Sequence, residues 1–131
     1  MNEFSKRSMK HLSMADPLLI ALFRKVLKVH DCSILCGYRD AADQNRLLKR
    51  GLSKLQFPNS KHNQIPSLAV DVAPYPHTTW TDMKRFYHFI GIVKGIASEM
   101  DIKIRCGNDW DMDNDLDDQK FNDLIHFELV E

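Results

Sequence analysis

The sequence predicts an α+β fold: one small domain with a mainly antiparallel sheet packed against helices. Three observations lead there. The 131 residues are 44% hydrophobic, enough for one packed core. Short apolar runs of strand length are separated by stretches whose apolar residues recur every three or four positions. The strands are joined across helices and long loops, which suggests a compact α+β domain with one sheet. No internal repeat or linker interrupts the chain, so residues 1–131 are expected to form one unit.

The elements follow in order. Asp16-Pro17 is a helix start, and Leu18, Leu19, Ala21, Leu22, Val26 and Leu27 continue an amphipathic helix to about Val29. Cys32 to Gly37 is short and apolar and predicts a buried strand. Asp40 caps a helix through Leu47 and Leu48, with Gly51 as its stop. Residues 52–67 hold prolines, asparagines and serines and predict a loop, on which His62 sits. Leu68 to Ala73 predicts a short strand broken by Pro74 and Pro76. Thr81-Asp82 opens a helix with apolar positions from Met83 to Ala97. Ile102 to Cys106 alternates with period two, Gly107 to Lys120 is an acidic loop, and Ile125 to Val130 closes the chain as a strand.

Bulk properties exclude several classes. Basic and acidic residues balance at 18 each, so the basic excess of a nucleic-acid binder is missing. No run approaches the roughly 20 apolar residues of a membrane span. The basic N-terminus lacks the apolar run and cleavage site of a signal peptide, since Arg24 and Lys25 return too soon. The three cysteines, an odd number, are expected as reduced thiols. Cys32 and Cys36 read as small buried hydrophobes rather than a metal knuckle.

Two distant stretches carry the chemistry. "SKHNQIPSLAVDVAP" contains His62 and Asp71, and "DLIHFE" contains Asp123, His126 and Glu128. Together they supply the inventory of a catalytic zinc site: three ligands, an open position for water and a base beside it. Asp71 faces away from its flanking valines, as a ligand, a salt-bridge partner or a hydrogen-bonded structural group. His126 and Glu128 share one face of the last strand, opposite Phe127 and Leu129. In this reading His62, Asp71 and His126 hold zinc and Asp123 is the acid/base. Arg39, after a strand and a glycine, is a candidate cation for the developing oxyanion, with a surface ion pair to Asp40 or Asp43 as the alternative.

"GYRDAADQNRLL", "SKHNQIPSLAVDVAPY" and "FNDLIHFELV" resemble three successive motifs of the zinc peptidases that cleave D-amino-acid-containing peptides. That group includes D-alanyl-D-alanine carboxypeptidases and dipeptidases and the L-alanyl-D-glutamate endopeptidases of bacteriophage endolysins; the hedgehog signalling domain shares the fold. The resemblance runs from about Leu35 to Glu131. It implies zinc on His62, Asp71 and His126, Asp123 as acid/base and Arg39 on the scissile carbonyl oxygen. It further implies that Gln44 lines the site, that Ser60 and Glu128 support a ligand or touch substrate, and that Trp110, in "GNDW", walls the cleft. The His62-to-Asp71 gap is two residues longer than usual, with Gln64-Ile65-Pro66-Ser67 lengthening the loop.

The endolysin branch fits best. It implies cleavage of the peptidoglycan stem peptide between L-alanine and D-glutamate by a monomer made in the host cytoplasm. Such an enzyme reaches the wall through a membrane pore made by another protein, and no appended wall-binding domain is expected. The alternatives are a D-alanyl-D-alanine carboxypeptidase and a non-catalytic, zinc-stabilised binding module. Separately, Asp109, Asp111, Asp113 and Asp115 alternate like the start of a calcium loop, although Leu116 and Asn122 break the EF-hand pattern. A solvated acidic loop or a non-EF calcium site that orders the segment before Asp123 both fit.

Overall fold

A computed structural model describes residues 2–77, 79–117 and 123–130. The elements are α1 (Lys6–Ser13), α2 (Pro17–Val29), β1 (Cys32–Cys36), α3 (Ala41–Lys49), a 3-10 turn (Lys61–Asn63), β2 (Ala69–Pro74), α4 (Met83–Glu99), β3 (Ile104–Gly107) and β4 (Asp123–Leu129). The strands form one antiparallel sheet in the order β1-β2-β4-β3. The α+β expectation holds.

Alternation along the two central strands sorts the molecule into a core and a site. Val70 and Val72 of β2 and Phe127 and Leu129 of β4 join α2 and α4 in the hydrophobic core. Phe127 is fully buried, edge-on to Phe23 of α2 at 5.4 Å and to Phe89 of α4 at 6.2 Å. The intervening residues, Asp71, His126 and Glu128, belong to the opposite face.

Helix α1 is absent from the sequence expectation, whose first helix opens at Asp16-Pro17. Its segment, KRSMKHLS, is mostly polar, and only Ser8 and Leu12 are buried. Local capping defines it instead: the Ser5 hydroxyl accepts from the Ser8 amide at 3.1 Å. Helix α1 covers the edge strand β1, where the Ile34 amide donates to the Ser8 hydroxyl at 3.0 Å. Gly37 permits this approach, because a Cβ there would lie 2.2 Å from the His11 carbonyl oxygen.

Two boundaries shift from the sequence expectation. Strand β3 begins at Ile104 rather than Ile102, because the end of α4 folds back first. Asp101 adopts a left-handed φ of 57°, and the Ile102 amide closes on the Ala97 carbonyl at 2.9 Å. Strand β4 begins at Asp123 rather than Ile125, paired with Gly107 across a bulge.

Truncation of the residue that joins both helices to the sheet should be costly. Phe127→Ala is expected to lower unfolding free energy by about 3–5 kcal/mol, read from the midpoint of urea denaturation.

Candidate metal centre and active site

The register of β2 on β4 places Asp71 directly opposite His126. His62 comes from the 3-10 turn between α3 and β2. That turn is held by a capping box in which Ser60 Oγ accepts from the His62 amide and Asn63 Oδ1 accepts from the Ser60 amide at 2.9 Å. The longer loop before Asp71 is anchored rather than loose. The Ser67 amide donates to the Met14 carbonyl at 2.9 Å, the Asp16 amide to the Ser67 carbonyl at 2.8 Å, and the Ser67 hydroxyl to the Ala69 carbonyl at 2.6 Å. The loop is therefore tied to the α1–α2 junction, and His62 meets Asp71.

Both imidazoles present a nitrogen to one carboxylate oxygen. His62 Nε2 lies 3.2 Å and His126 Nδ1 3.4 Å from Asp71 Oδ1. The other nitrogen of each ring is engaged: His62 Nδ1–H donates to the Gly37 carbonyl at 2.7 Å, and His126 Nε2–H to Glu128 Oε1 at 2.8 Å. Those partners set the tautomers and leave His62 Nε2 and His126 Nδ1 as the nitrogens turned to Asp71. Glu128 is itself clamped by Arg105 at 2.8 Å and Lys61 at 3.4 Å.

Three groups of metal-competent side chains occur among the described residues. Asp71, Asp123 and His126 offer ligand atoms within 4.8 Å of one another, as do Cys36, His62 and Asp71, so these two share Asp71. Together they make a possible metal-binding site. Cys36 departs from the apolar-filler expectation that suits buried Cys32. Its sulfur lies 3.9 Å from His62 Nδ1 and 3.7 Å from the Arg39 guanidinium. Nδ1 is already bonded to the Gly37 carbonyl, and Cys36, paired with Asp71 across β1 and β2, keeps its sulfur within 4.8 Å of an Asp71 carboxylate oxygen.

The remaining expectations sort by position. Arg39 has its ion pair inside the cleft, with Asp71 Oδ2 at 3.3 Å, whereas Asp43 pairs with Arg46 and Asp40 caps α3. Gln44 does not line the cleft. It is fully buried beneath it, where its oxygen accepts from Arg39 at 3.0 Å and its nitrogen donates to Ser53 Oγ at 2.9 Å and the Leu55 carbonyl at 2.7 Å. One amide thus sets the spacing between the arginine and the loop that walls the cleft. Ser60, Trp110 and Asp123 all border the cleft, which encloses about 500 Å³. The Trp110 ring lies 5.2 Å from that of His126.

Asp123 is placed by a close backbone approach. A Cβ on Gly107 would lie 2.1 Å from the Asp123 carbonyl oxygen and 2.8 Å from its Cβ, so only glycine permits this pairing. Gly107, Gly37, Asn63, Lys61 and Arg105 were not singled out from the sequence. A glycine next to a strand end and a Ser-x-x-Asn cap were the available signals.

In the acidic loop, Asp109, Asp111 and Asp113 cluster. Asp109 accepts from the amides of Asp113 and Asn114, Asp113 from Asp115, and Asp115 from Asp117. These turns account for the clustering of the carboxylates without a bound cation. Asp115 is not part of the cluster, and Asp118 and Asn122 lie outside the described residues.

The electrostatics of the site are strongly coupled. Burial opposes charge on His62, but the Asp71 carboxylate prevails and lifts its pKa from 6.5 to about 10. His126 is raised in the same way against its burial, by Asp71 and Glu128. Asp71 is held well below the ordinary carboxylate range despite burial, by the two imidazoles. Asp123 is raised, by burial first and then by the negative charge of Asp71.

The fold and site are those of a small peptidase whose cleft gathers histidine and aspartate side chains able to hold a metal. In overall fold the chain superposes on the Serratia marcescens L-Ala D-Glu endopeptidase ChiX with a TM-score of 0.78, over 99% of this chain and 90% of that one, at 24% identity. It is 31% identical over 121 residues to the L-alanyl-D-glutamate peptidase of Escherichia phage T5, covering 89% of this chain and 88% of that protein. Residues 1–130 match the family described as phage L-alanyl-D-glutamate peptidase, and the chain belongs to that family.

The shifted histidines make a signed prediction. The raised pKa of His62 contributes stability that is fully present below 6.5 and lost as pH rises through about 10, and the raised pKa of His126 acts in the same direction. The lowered Asp71 contributes above 3.8 and is lost as pH falls below it. Calorimetry of chelator-treated protein should therefore give a lower Tm at about pH 9 than at about pH 5. Added zinc should raise Tm more at the higher pH, because it replaces the histidine protons.

Proposed function

We propose that this chain hydrolyses the L-alanyl-D-glutamate bond of the peptidoglycan stem peptide, using a zinc ion held by His62 Nε2, Asp71 and His126 Nδ1. The observation that carries this reading is the convergence of those two nitrogens on one Asp71 oxygen, with Asp123 beside them. Nitrogen and carboxylate donors of this kind suit zinc, and a three-ligand set leaves room for substrate. When bound, the zinc ion polarises the scissile carbonyl and activates water.

The chain's own residues do the rest. Asp123 takes a proton from the attacking water and returns it to the amine of D-glutamate. Its raised pKa suits both halves of that cycle, since a very weak base would not accept the proton. Arg39 donates to the carbonyl oxygen as negative charge builds, and buried Gln44 holds its guanidinium in place. Gly37 and Glu128 keep the two imidazoles in the tautomers that face Asp71. Trp110 and the 52–55 loop wall the cleft.

The names of the family and of its phage T5 relative favour the L-alanyl-D-glutamate bond over D-alanyl-D-alanine. An acid/base candidate and a cation in one cleft favour catalysis over a structural zinc module. No helix among the described residues is long and apolar enough to cross a membrane. The reading extends to a monomer made in the host cytoplasm that reaches the wall after a separate protein opens the membrane.

Mass spectrometry of purified stem peptides tests the reading. Zinc-loaded protein is expected to release fragments split between L-alanine and D-glutamate, and a chelated control none. Asp123→Ala should lower kcat by about 10²–10⁴-fold while one zinc per chain is retained. Release of terminal D-alanine alone would make the chain a carboxypeptidase. Full activity in the Asp123 variant would remove the aspartate from the mechanism.

Gly107→Ala makes a gentler test of the same base. Its Cβ would push the Asp123 backbone away, and a displacement near 1 Å should cost on the order of a hundredfold in kcat. Zinc stoichiometry should stay unchanged.

A further inference from the structure

One exposed aromatic beside the cleft has no part in the peptide chemistry. Trp80 is 65% exposed, yet its ring is fixed: it stacks on Phe86 with centroids 5.6 Å apart and planes 11° from parallel. Phe86 is buried on α4. With Met83, 48% exposed on the next turn of chain, Trp80 makes a contiguous exposed apolar patch, the kind of surface that ligands cover. Beside it runs a groove of about 290 Å³, bordered by Trp80, Met83, Phe86, Asp123, Leu124 and Ile125. Asp123 and Ile125 also border the main cleft. The groove and the cleft therefore share the proposed acid/base, and Trp80 borders the groove but not the cleft.

The substrate's covalent structure says what must lie near. In peptidoglycan the L-alanine nitrogen is acylated by the lactyl group of N-acetylmuramic acid. The scissile carbonyl belongs to that same alanine, so one residue and a short ether separate the cut bond from a sugar ring. That distance is on the order of 10 Å. Pyranose rings present a face of C–H bonds that lies flat on an aromatic ring, and a pre-fixed indole loses little entropy in binding it.

We propose that Trp80 and the groove it borders form a subsite for the N-acetylmuramic acid ring on the L-alanine side of the scissile bond. This rests on the peptidase reading and adds to it a preference for glycan-attached stem peptides.

The test compares two substrates with one enzyme: a disaccharide tetrapeptide and the same tetrapeptide carrying an N-acetyl group in place of the sugar. Wild-type protein is expected to favour the first in kcat/KM by roughly three- to tenfold, mainly through KM. Trp80→Ala should bring the ratio close to one, and Trp80→Phe, which keeps an aromatic face, should retain most of it. Because the readout is a ratio, partial loss of folded protein does not alter it. A wild-type ratio of one, or a ratio unmoved in Trp80→Ala, overturns the subsite and leaves the peptidase reading intact. Failure to cut either substrate overturns both.

Discussion

The pairing of Asp71 with His126 across the two central strands is the constraint on which the rest of the site depends. Antiparallel neighbours place their side chains on a common face only when the register is right, and a slip of one residue would send one of the pair into the core. That register is enforced from the other side of the sheet. Val70, Val72 and Phe127 fill the space against α2 and α4, and none of them can be turned outward without exposing a large apolar area. The hydrophobic core thus sets the position of the polar cluster.

Around that pair the chain spends its irregular features on precision. Each histidine has its second nitrogen tied, one to a backbone carbonyl and one to a carboxylate that two cations clamp. Two glycines sit where a neighbouring backbone comes too close for any side chain: Gly37 under α1 and Gly107 against Asp123. A polar helix that hydrophobic pattern does not reveal therefore bears on the first histidine, since α1 packs on the residue whose carbonyl orients it. Gln44 does the same for Arg39 from below, through one buried and three part-buried side-chain hydrogen bonds.

Family membership and geometry speak to different questions. The family match covers nearly the whole chain and bears on which bond is cut. The geometry bears on how: which nitrogens meet Asp71, which carboxylate stands apart and which cation lies in the same cleft. The aromatic groove beside Asp123 belongs to a third question, that of what the enzyme holds beyond the bond it cuts.

By itself the sequence determined the fold class, the core helices α2 and α4, and the set of residues from which the candidate site is built. Those are legible because period and residue type are local: valines flank Asp71, Phe127 and Leu129 alternate with His126 and Glu128, and Asp-Pro opens a helix. Only the tertiary structure decided that Asp71 faces His126, that Cys36 lies against His62, that Gln44 lies under the cleft rather than in it, and that Gly107 brings β3 onto Asp123. Each depends on segments far apart in the chain coming into register, and single-sequence periodicity carries no information on which strand pairs with which. Helix α1 belongs with these, because a short polar segment is stabilised by its cap and by the sheet edge it covers rather than by a hydrophobic face of its own.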